Sequence, residues 1–326
     1  MRNYQKRGWK NRKKEALLIN VSISLKNKEV FQVKKLLFAL CLVAILGVSA
    51  FASSMTVGLS VSTLNNPFFV ILRDGAIEQA KVLDVDLVVM DAQNDPAKQV
   101  SDIEDLIQKK VDVILLNPTD ADALVPAVEQ ANKAGIPLLT IDRSVSGGDV
   151  ALHIASDNVK GGGMAAAYLV EQLGEKGLVV ELEGITGSSA ARERGQGFET
   201  YIAKFSDIKL AAKQTADFDR AKGMSVMENI LQAQPKIDAV FAHNDEMALG
   251  AIQAIKAAKR QDEMFVVGFD AVPDALDAVK AGDMKATVAQ QPWMMGVLGV
   301  MNGYLVVNGV ELGVEFIPVP LKVITE

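Results

Sequence analysis

From Met55 onward the chain repeats one pattern: a short run of β-branched and aliphatic residues, a polar patch, then a helix-length segment with apolar residues three and four apart. The runs MTVGLSV, DLVVMD, VDVILLN and IPLLTID alternate with helical segments over 69–83, 97–109 and 123–134. Continuous apolar strands separated by helices dictate a parallel sheet covered on both faces. Right-handed crossovers then make a doubly wound α/β layer structure. The pattern restarts near residue 150 with VALHIA, continues through GLVVELEG, IKLAAKQ, IDAVFAH, MFVVGFD and KATVAQQ, and closes on VEFIPVPLKVITE. Between these runs lie helical segments near 158–173, 190–203, 220–233, 246–258, 273–280 and 292–307. Roughly eleven or twelve strands are too many for one compact sheet of this kind, so two Rossmann-like lobes are expected. No Gly/Ser/Pro-rich linker separates them. Their connections are therefore short and several, a hinge of a few strands.

Residues 1–52 stand outside this pattern. They carry eleven Lys/Arg against two Glu, a local net of +9, which leaves −15 on the remainder of a chain whose formal net charge is −6. An acidic body argues against nucleic acid as a partner, because phosphates need a basic footprint. Lys34 and Lys35 precede the apolar run LLFALCLVAILGVSAFA, which ends in the small-residue pattern Ala50-Phe51-Ala52. Basic residues, a short apolar stretch and A-x-A read as a secretory signal peptide cut after Ala52. The run is short for a membrane span of ~20 residues. Cys41, the chain's single cysteine, lies inside the run instead of after it, which disfavours a lipid-anchored form. After cleavage no cysteine remains, which an exported destination tolerates. The basic segment ahead of the lysines is long for such a leader, and translation from Val33, read from a GTG codon, would explain it.

Ligands of open α/β sheets bind at the carboxyl ends of the strands. The residues there are Asn65, Asn66, Phe68 and Phe69 after the first run; Asp91, Gln93 and Asn94 after the second; Asn117 to Asp120 after the third; and Asp142 with Arg143 after the fourth. In the second half they are Arg192 and Arg194 in SSAARERG, Phe218 in ADFDR, Asn244 and Asp245 in HNDE, Phe269 and Asp270 in GFD, and Gln290 in AQQP. Asp, Asn, Arg and Gln present planar groups that hydrogen-bond in pairs to neighbouring hydroxyls. Phenylalanines present flat apolar faces. A monosaccharide has the complementary surface, an equator of hydroxyls between two C–H faces. Phe68 and Phe69 thus read as one side of an aromatic sandwich, with Phe218 and Phe269 opposite, while Asn65, Asn66 and Pro67 start the helix. Taken singly each has an ordinary structural role; the set matters because all of them fall on one side of both expected sheets.

Motifs for other chemistries are missing. No G-x-G-x-x-G follows a strand, no Walker A occurs, and no G-x-S-x-G nucleophile elbow is present. His153 and His243 are the only histidines, and without cysteines they make no ordinary zinc site. Glu181 and Glu183 share a strand face without a catalytic partner. No cofactor, metal or enzymatic activity is expected.

The segments STLNNPFF, NPTDADA, IDRS, HIASDN, SAARERG, ADFDR, NDEMALGA, VVGFD and AQQP occur in this order over the chain from about residue 55 to the end. In that series the chain resembles the periplasmic ribose-binding proteins, the substrate-binding components of ABC sugar importers. The resemblance implies a periplasmic binding protein type 1 fold. Its lobes would be 55–155 plus 291–318 and 156–290 plus 319–326, joined by three crossings near 155–157, 289–291 and 318–320. It implies ligand contacts from Asn66, Phe68, Phe69, Asn117, Asp142 and Arg143 in the first lobe. From the second lobe and hinge it implies Arg192, Phe218, Asn244, Phe269, Asp270 and Gln290. The implied function is an exported, monomeric receptor that closes on D-ribose and delivers it to a membrane permease with its ATPase, with a chemotaxis receptor as a further candidate partner. The alternatives are a receptor for another pentose, allose or autoinducer-2, a sugar-sensing regulator of the LacI type, and a sugar-processing enzyme. The leader argues against a cytosolic regulator, and no acid–base pair beside a nucleophile supports an enzyme.

Overall fold

A computed structural model describes residues 54–326. The expected leader, Cys41 and the alternative start at Val33 lie outside the described residues. Among the described residues the chain forms twelve strands and nine helices, numbered here in chain order.

The first lobe is built on β1 (Thr56–Val61), β2 (Asp86–Asp91), β3 (Val113–Leu116), β4 (Leu138–Ile141), β5 (Leu152–Ser156) and β11 (Phe316–Val319). They form one parallel sheet in the order β11-β5-β4-β3-β1-β2. Helices α1 (Pro67–Leu83), α2 (Pro96–Gln108), α3 (Val125–Lys133) and α9 (Pro292–Val307) cover it. Every residue of β3 and β4 is buried, as a central strand covered on both faces requires.

The second lobe repeats the plan with β6 (Gly177–Glu183), β7 (Ile208–Thr215), β8 (Ala239–Ala242), β9 (Phe265–Asp270), β10 (Ala286–Ala289) and β12 (Lys322–Ile324). Their order is β12-β10-β9-β8-β6-β7, parallel except for β12, which runs antiparallel to β10. Helices α4 (Asn158–Leu173), α5 (Ser189–Ile202), α6 (Arg220–Ala233), α7 (Asp245–Ala257) and α8 (Pro273–Lys280) pack around it. The closing run of the sequence divides at Pro320 into β11 and β12, one in each sheet. Proline has no N–H for a ladder, so a strand breaks there cheaply. The chain passes between the sheets three times: between β5 and β6, between β10 and β11, and between β11 and β12. In each sheet the strand order reverses once, at β1/β3 and at β6/β8. The carboxyl ends beside these two reversals face the same cleft.

Candidate functional site

Asn66 ends the loop after β1 in an extended conformation and caps α1, its Oδ1 accepting from the Phe68 N–H at 2.9 Å. Pro67 occupies the first helical position, where no N–H is needed. This turn delivers Phe68 and Phe69 to the cleft with their rings edge to face, 5.1 Å apart. Asp142 follows β4 with φ 65° and Phe218 has φ 59°. Asp270 ends β9 with φ 120°. Three non-glycine residues in sparsely populated backbone regions around one cavity are a mark of a functional site, since each costs on the order of 1–3 kcal/mol.

A small cavity lies between the lobes. Of the twelve residues expected from the sequence, nine line it: Asn66, Phe68, Phe69, Asp142, Arg143, Phe218, Asn244, Asp270 and Gln290. Ala190 and Arg194 complete the lining.

The other three are placed elsewhere. Arg192 is exposed and donates to the Gly187 carbonyl at 3.0 Å; Arg194 takes the place expected of it. The reason is helical geometry: residues two apart on a helix point to nearly opposite sides. On α5 the buried side runs through Ala190, Ala191, Arg194, Gly195 and Phe198. That apolar stripe was the signal in the sequence that would have chosen Arg194. Asn117 is wholly buried one layer behind the cavity. Its Oδ1 accepts from the N–H and hydroxyl of Ser62, at 3.0 and 2.7 Å, and its Nδ2 reaches the Ile141 carbonyl and Asp142 Oδ2. Phe269 is also fully buried, and the Arg194 guanidinium lies over its ring, 3.9 Å from the centroid.

The lobes meet across the cleft. Ser144 N–H donates to Ser189 Oγ and Ala121 N–H to the Gly187 carbonyl, each at 2.9 Å. Arg143 of the first lobe lies between the Phe69 ring, 5.2 Å away, and the Phe218 ring of the second lobe, 5.1 Å away. Asn66, Phe69, Arg143 and Phe218 also border a second cavity, walled further by Asn94 and Asp219.

The electrostatics are those of charges taken out of water. Burial pushes the Asp142 carboxyl up, against the pull of Arg143, Arg194 and Asn117. Burial lowers Arg143 to about 10, with Asp142 opposing. Asp270 is pushed up to about 7 by burial, while Arg194 and Gln290 hold it down. Yet Arg143–Asp142 and Arg194–Asp270 each stand 3.7 Å apart, too far for a direct hydrogen bond. Asp142 Oδ1, Arg143 Nε and Nη1, and Gln290 Oε1 are buried and make no hydrogen bond within the protein. Such atoms cost ~1–3 kcal/mol each unless something polar meets them. Donors and acceptors aimed at one small cavity between phenyl rings suit a neutral, polyhydroxylated ring. Among the described residues no group of three or more His, Cys, Asp or Glu could hold a metal ion.

The periplasmic binding protein domain family matches residues 57–311. The chain belongs to the periplasmic binding protein family. It is 51% identical over 271 residues to the ribose import binding protein of Bacillus subtilis strain 168, covering 83% of this chain and 87% of that protein. It is 47% identical to the ribose import binding protein of Escherichia coli strain K12, covering 89% of this chain and 97% of that one. A solved structure with 34% sequence identity is an ABC transporter solute binding protein from Bacillus halodurans with bound myo-inositol. It superposes with a TM-score of 0.79, covering 83% of this chain and 94% of that one. The fold is thus that of periplasmic binding proteins of type 1. Curated relatives are solute-binding proteins of transporters, not enzymes, and family membership implies a location outside the cytoplasm.

Proposed function

We propose that this chain is the exported receptor of an ABC importer, that it binds D-ribose between its lobes, and that it hands the sugar to a membrane permease. The observation that carries the reading is the set of unpartnered buried atoms on Asp142, Arg143 and Gln290 around a cavity walled by Phe68, Phe69 and Phe218. Ribose import is the function of the two relatives described above, and a cyclic polyol sits in the related solved structure. The contact set is Asn66, Phe68, Phe69, Asp142, Arg143, Arg194, Phe218, Asn244, Asp270 and Gln290, with Asn117 and Phe269 acting from one layer behind. The lobes are 55–155 plus 291–318 and 156–290 plus 319–326, and the three passages between them form the hinge. A sugar that touches both lobes binds the closed state better than the open one, so it shifts the population toward closure. The chain acts without cofactor and without turnover, and cleavage after Ala52 releases it.

Calorimetric titration with D-ribose tests this, on protein unfolded and refolded to strip carried-over sugar. The expected result is one site with nanomolar to micromolar affinity, about −8 to −12 kcal/mol. No heat from folded protein would sink the ribose assignment and move it to allose, another pentose or autoinducer-2.

A further inference from the structure

Asn158 is the first residue of α4, two positions past the end of β5, where the chain first passes from one lobe to the other. It is 2% exposed. Its Oδ1 accepts a hydrogen bond from Arg194 Nε at 2.9 Å. Arg194 Nη1 donates to the His243 carbonyl at 2.6 Å. A guanidinium is planar, so two committed nitrogens fix its plane, and here that plane lies on the Phe269 ring. The side chain so fixed lines the cavity.

The backbone is tied down as well. A Cβ on Gly162 would collide with the Arg194 carbonyl, and one on Gly197 with the Val159 carbonyl. Helices α4 and α5 therefore touch main chain to main chain at Arg194 and again at Gly197. Its backbone and its side chain are both fastened to the helix that begins at the passage. The second passage has a parallel: Gln290, just after β10, donates from Nε2 to Asp270 Oδ1 at 2.8 Å. Each charged residue of the second-lobe wall is thus held by an amide from a passage between the lobes.

We propose that Asn158 is a positioning residue for the sugar site, setting the plane of the Arg194 guanidinium and coupling it to the passage about which the lobes turn. This rests on the reading that Arg194 contacts a sugar. Asn158 does not line the cavity; its side chain meets Arg194 and Glu193, and of these only Arg194 does, so its effect on the sugar runs through Arg194.

Two measurements test it. The first needs no sugar. The Arg194 Nε–H proton resonance, assigned by its disappearance in Arg194→Lys, exchanges slowly with water in the wild type and rapidly in Asn158→Ala. The second is titration with D-ribose. Asn158→Ala weakens binding about ten- to hundredfold, the scale of a hydrogen bond to a charged group. Made in an Arg194→Lys background, the same change costs under about twofold, because the coupled partner is already gone. A protected Nε–H in Asn158→Ala, or equal losses in the two backgrounds, overturns the proposal. If Asn158→Ala does not fold, Asn158→Ser replaces it, since Asp157 caps the helix in either variant and a serine hydroxyl is too short to reach Nε. If the wild type ignores D-ribose, the ribose reading fails, and the Nε–H measurement still decides the role of Asn158.

Discussion

The two lobes share one fold and face one cavity, but they back their site residues with different chemistry. Behind Asp142 in the first lobe stand neutral groups. Asn117 joins Ser62 to Asp142, and Gln99 donates to Ser60 Oγ at 3.1 Å and to the Asn117 carbonyl at 2.9 Å. The Thr119 N–H closes the network on Gln99 Oε1. Behind Arg194 and Asp270 in the second lobe stand ionisable groups. His243 Nε2 meets Glu181 Oε1 at 2.8 Å, both wholly buried. Asp245 accepts from Thr287 Oγ1 at 2.7 Å and from the Val272 N–H at 2.9 Å, bracing the strained turn at Asp270. Burial lowers His243 to about 3 and raises Glu181 to about 8. Burial, with the nearby Asp270 charge, raises Asp245. The first lobe's His153, lowered by burial to about 4, lies between Thr140 and Phe316, away from the cavity lining. Amides and hydroxyls keep one protonation state across physiological pH. At the cavity the first lobe's shifted groups are therefore the wall residues Asp142 and Arg143 themselves, whereas in the second lobe the groups behind the wall are shifted as well.

The largest expected effect asks whether both walls matter equally. Arg143→Ala from the first lobe and Arg194→Ala or Asp270→Ala from the second each leave a buried charge without its partner. Each should cost ~3–5 kcal/mol of ribose affinity by calorimetry while the protein still folds. Arg192→Ala should bind as the wild type does, and a large loss there would restore Arg192 to the site.

Next comes Asn117→Ala, which strands Ser62 and Asp142 in the first-lobe network. A loss of ~1–3 kcal/mol of stability is expected in urea unfolding, no smaller at pH 8 than at pH 5.5, because Asn117 favours the ionised Asp142 carboxyl. A larger loss at pH 5.5 would show that Asn117 does not support the charged form of Asp142.

A smaller effect belongs to the rim where the lobes meet. A Cβ on Gly187 would collide with the Asp120 carboxylate of the opposite lobe. Gly187→Ala should weaken ribose binding by about 1–2 kcal/mol, the scale of overpacking, through closure alone. The unliganded melting temperature should stay put; a fall would mean the glycine serves its own lobe.

Last comes the pH signature of the second lobe. With Glu181 raised from 4.5 to about 8, the folded state keeps a proton that the unfolded chain loses. The stability due to this group is complete below pH 4.5 and is lost as pH rises toward 8. Glu181→Gln has no such proton. Its stability relative to the wild type should climb across that window, by several kcal/mol in all at ~1.4 kcal/mol per pH unit. Parallel stability curves for the two proteins would show that Glu181 does not titrate there.

Much of this molecule can be read from its residues in order. The alternation of apolar runs and helical segments specifies two covered sheets, because a strand buried on both faces admits no polar side. Asn66 followed by Pro67 announces the start of α1, and Asn244 caps α7 in the same way, its side chain accepting from the Met247 N–H. The residues at the strand ends spell out ten of the cavity's eleven lining groups, since carboxyl ends beside a strand-order reversal face a cleft.

What needed the folded molecule was the depth and pairing of those groups. Asn117 and Phe269 lie at the right strand ends but one layer too deep. Arg192 and Arg194 differ only in which side of α5 they take. The contacts Glu181–His243, Asn158–Arg194 and Arg143 between Phe69 and Phe218 join positions far apart in the chain. Periodicity and capping are local forces, set by neighbours within a turn or two, and a sequence displays them directly. Partnership between buried polar groups is set by which surfaces pack together, and that is settled only when the two sheets, their helices and the three passages between them are in place.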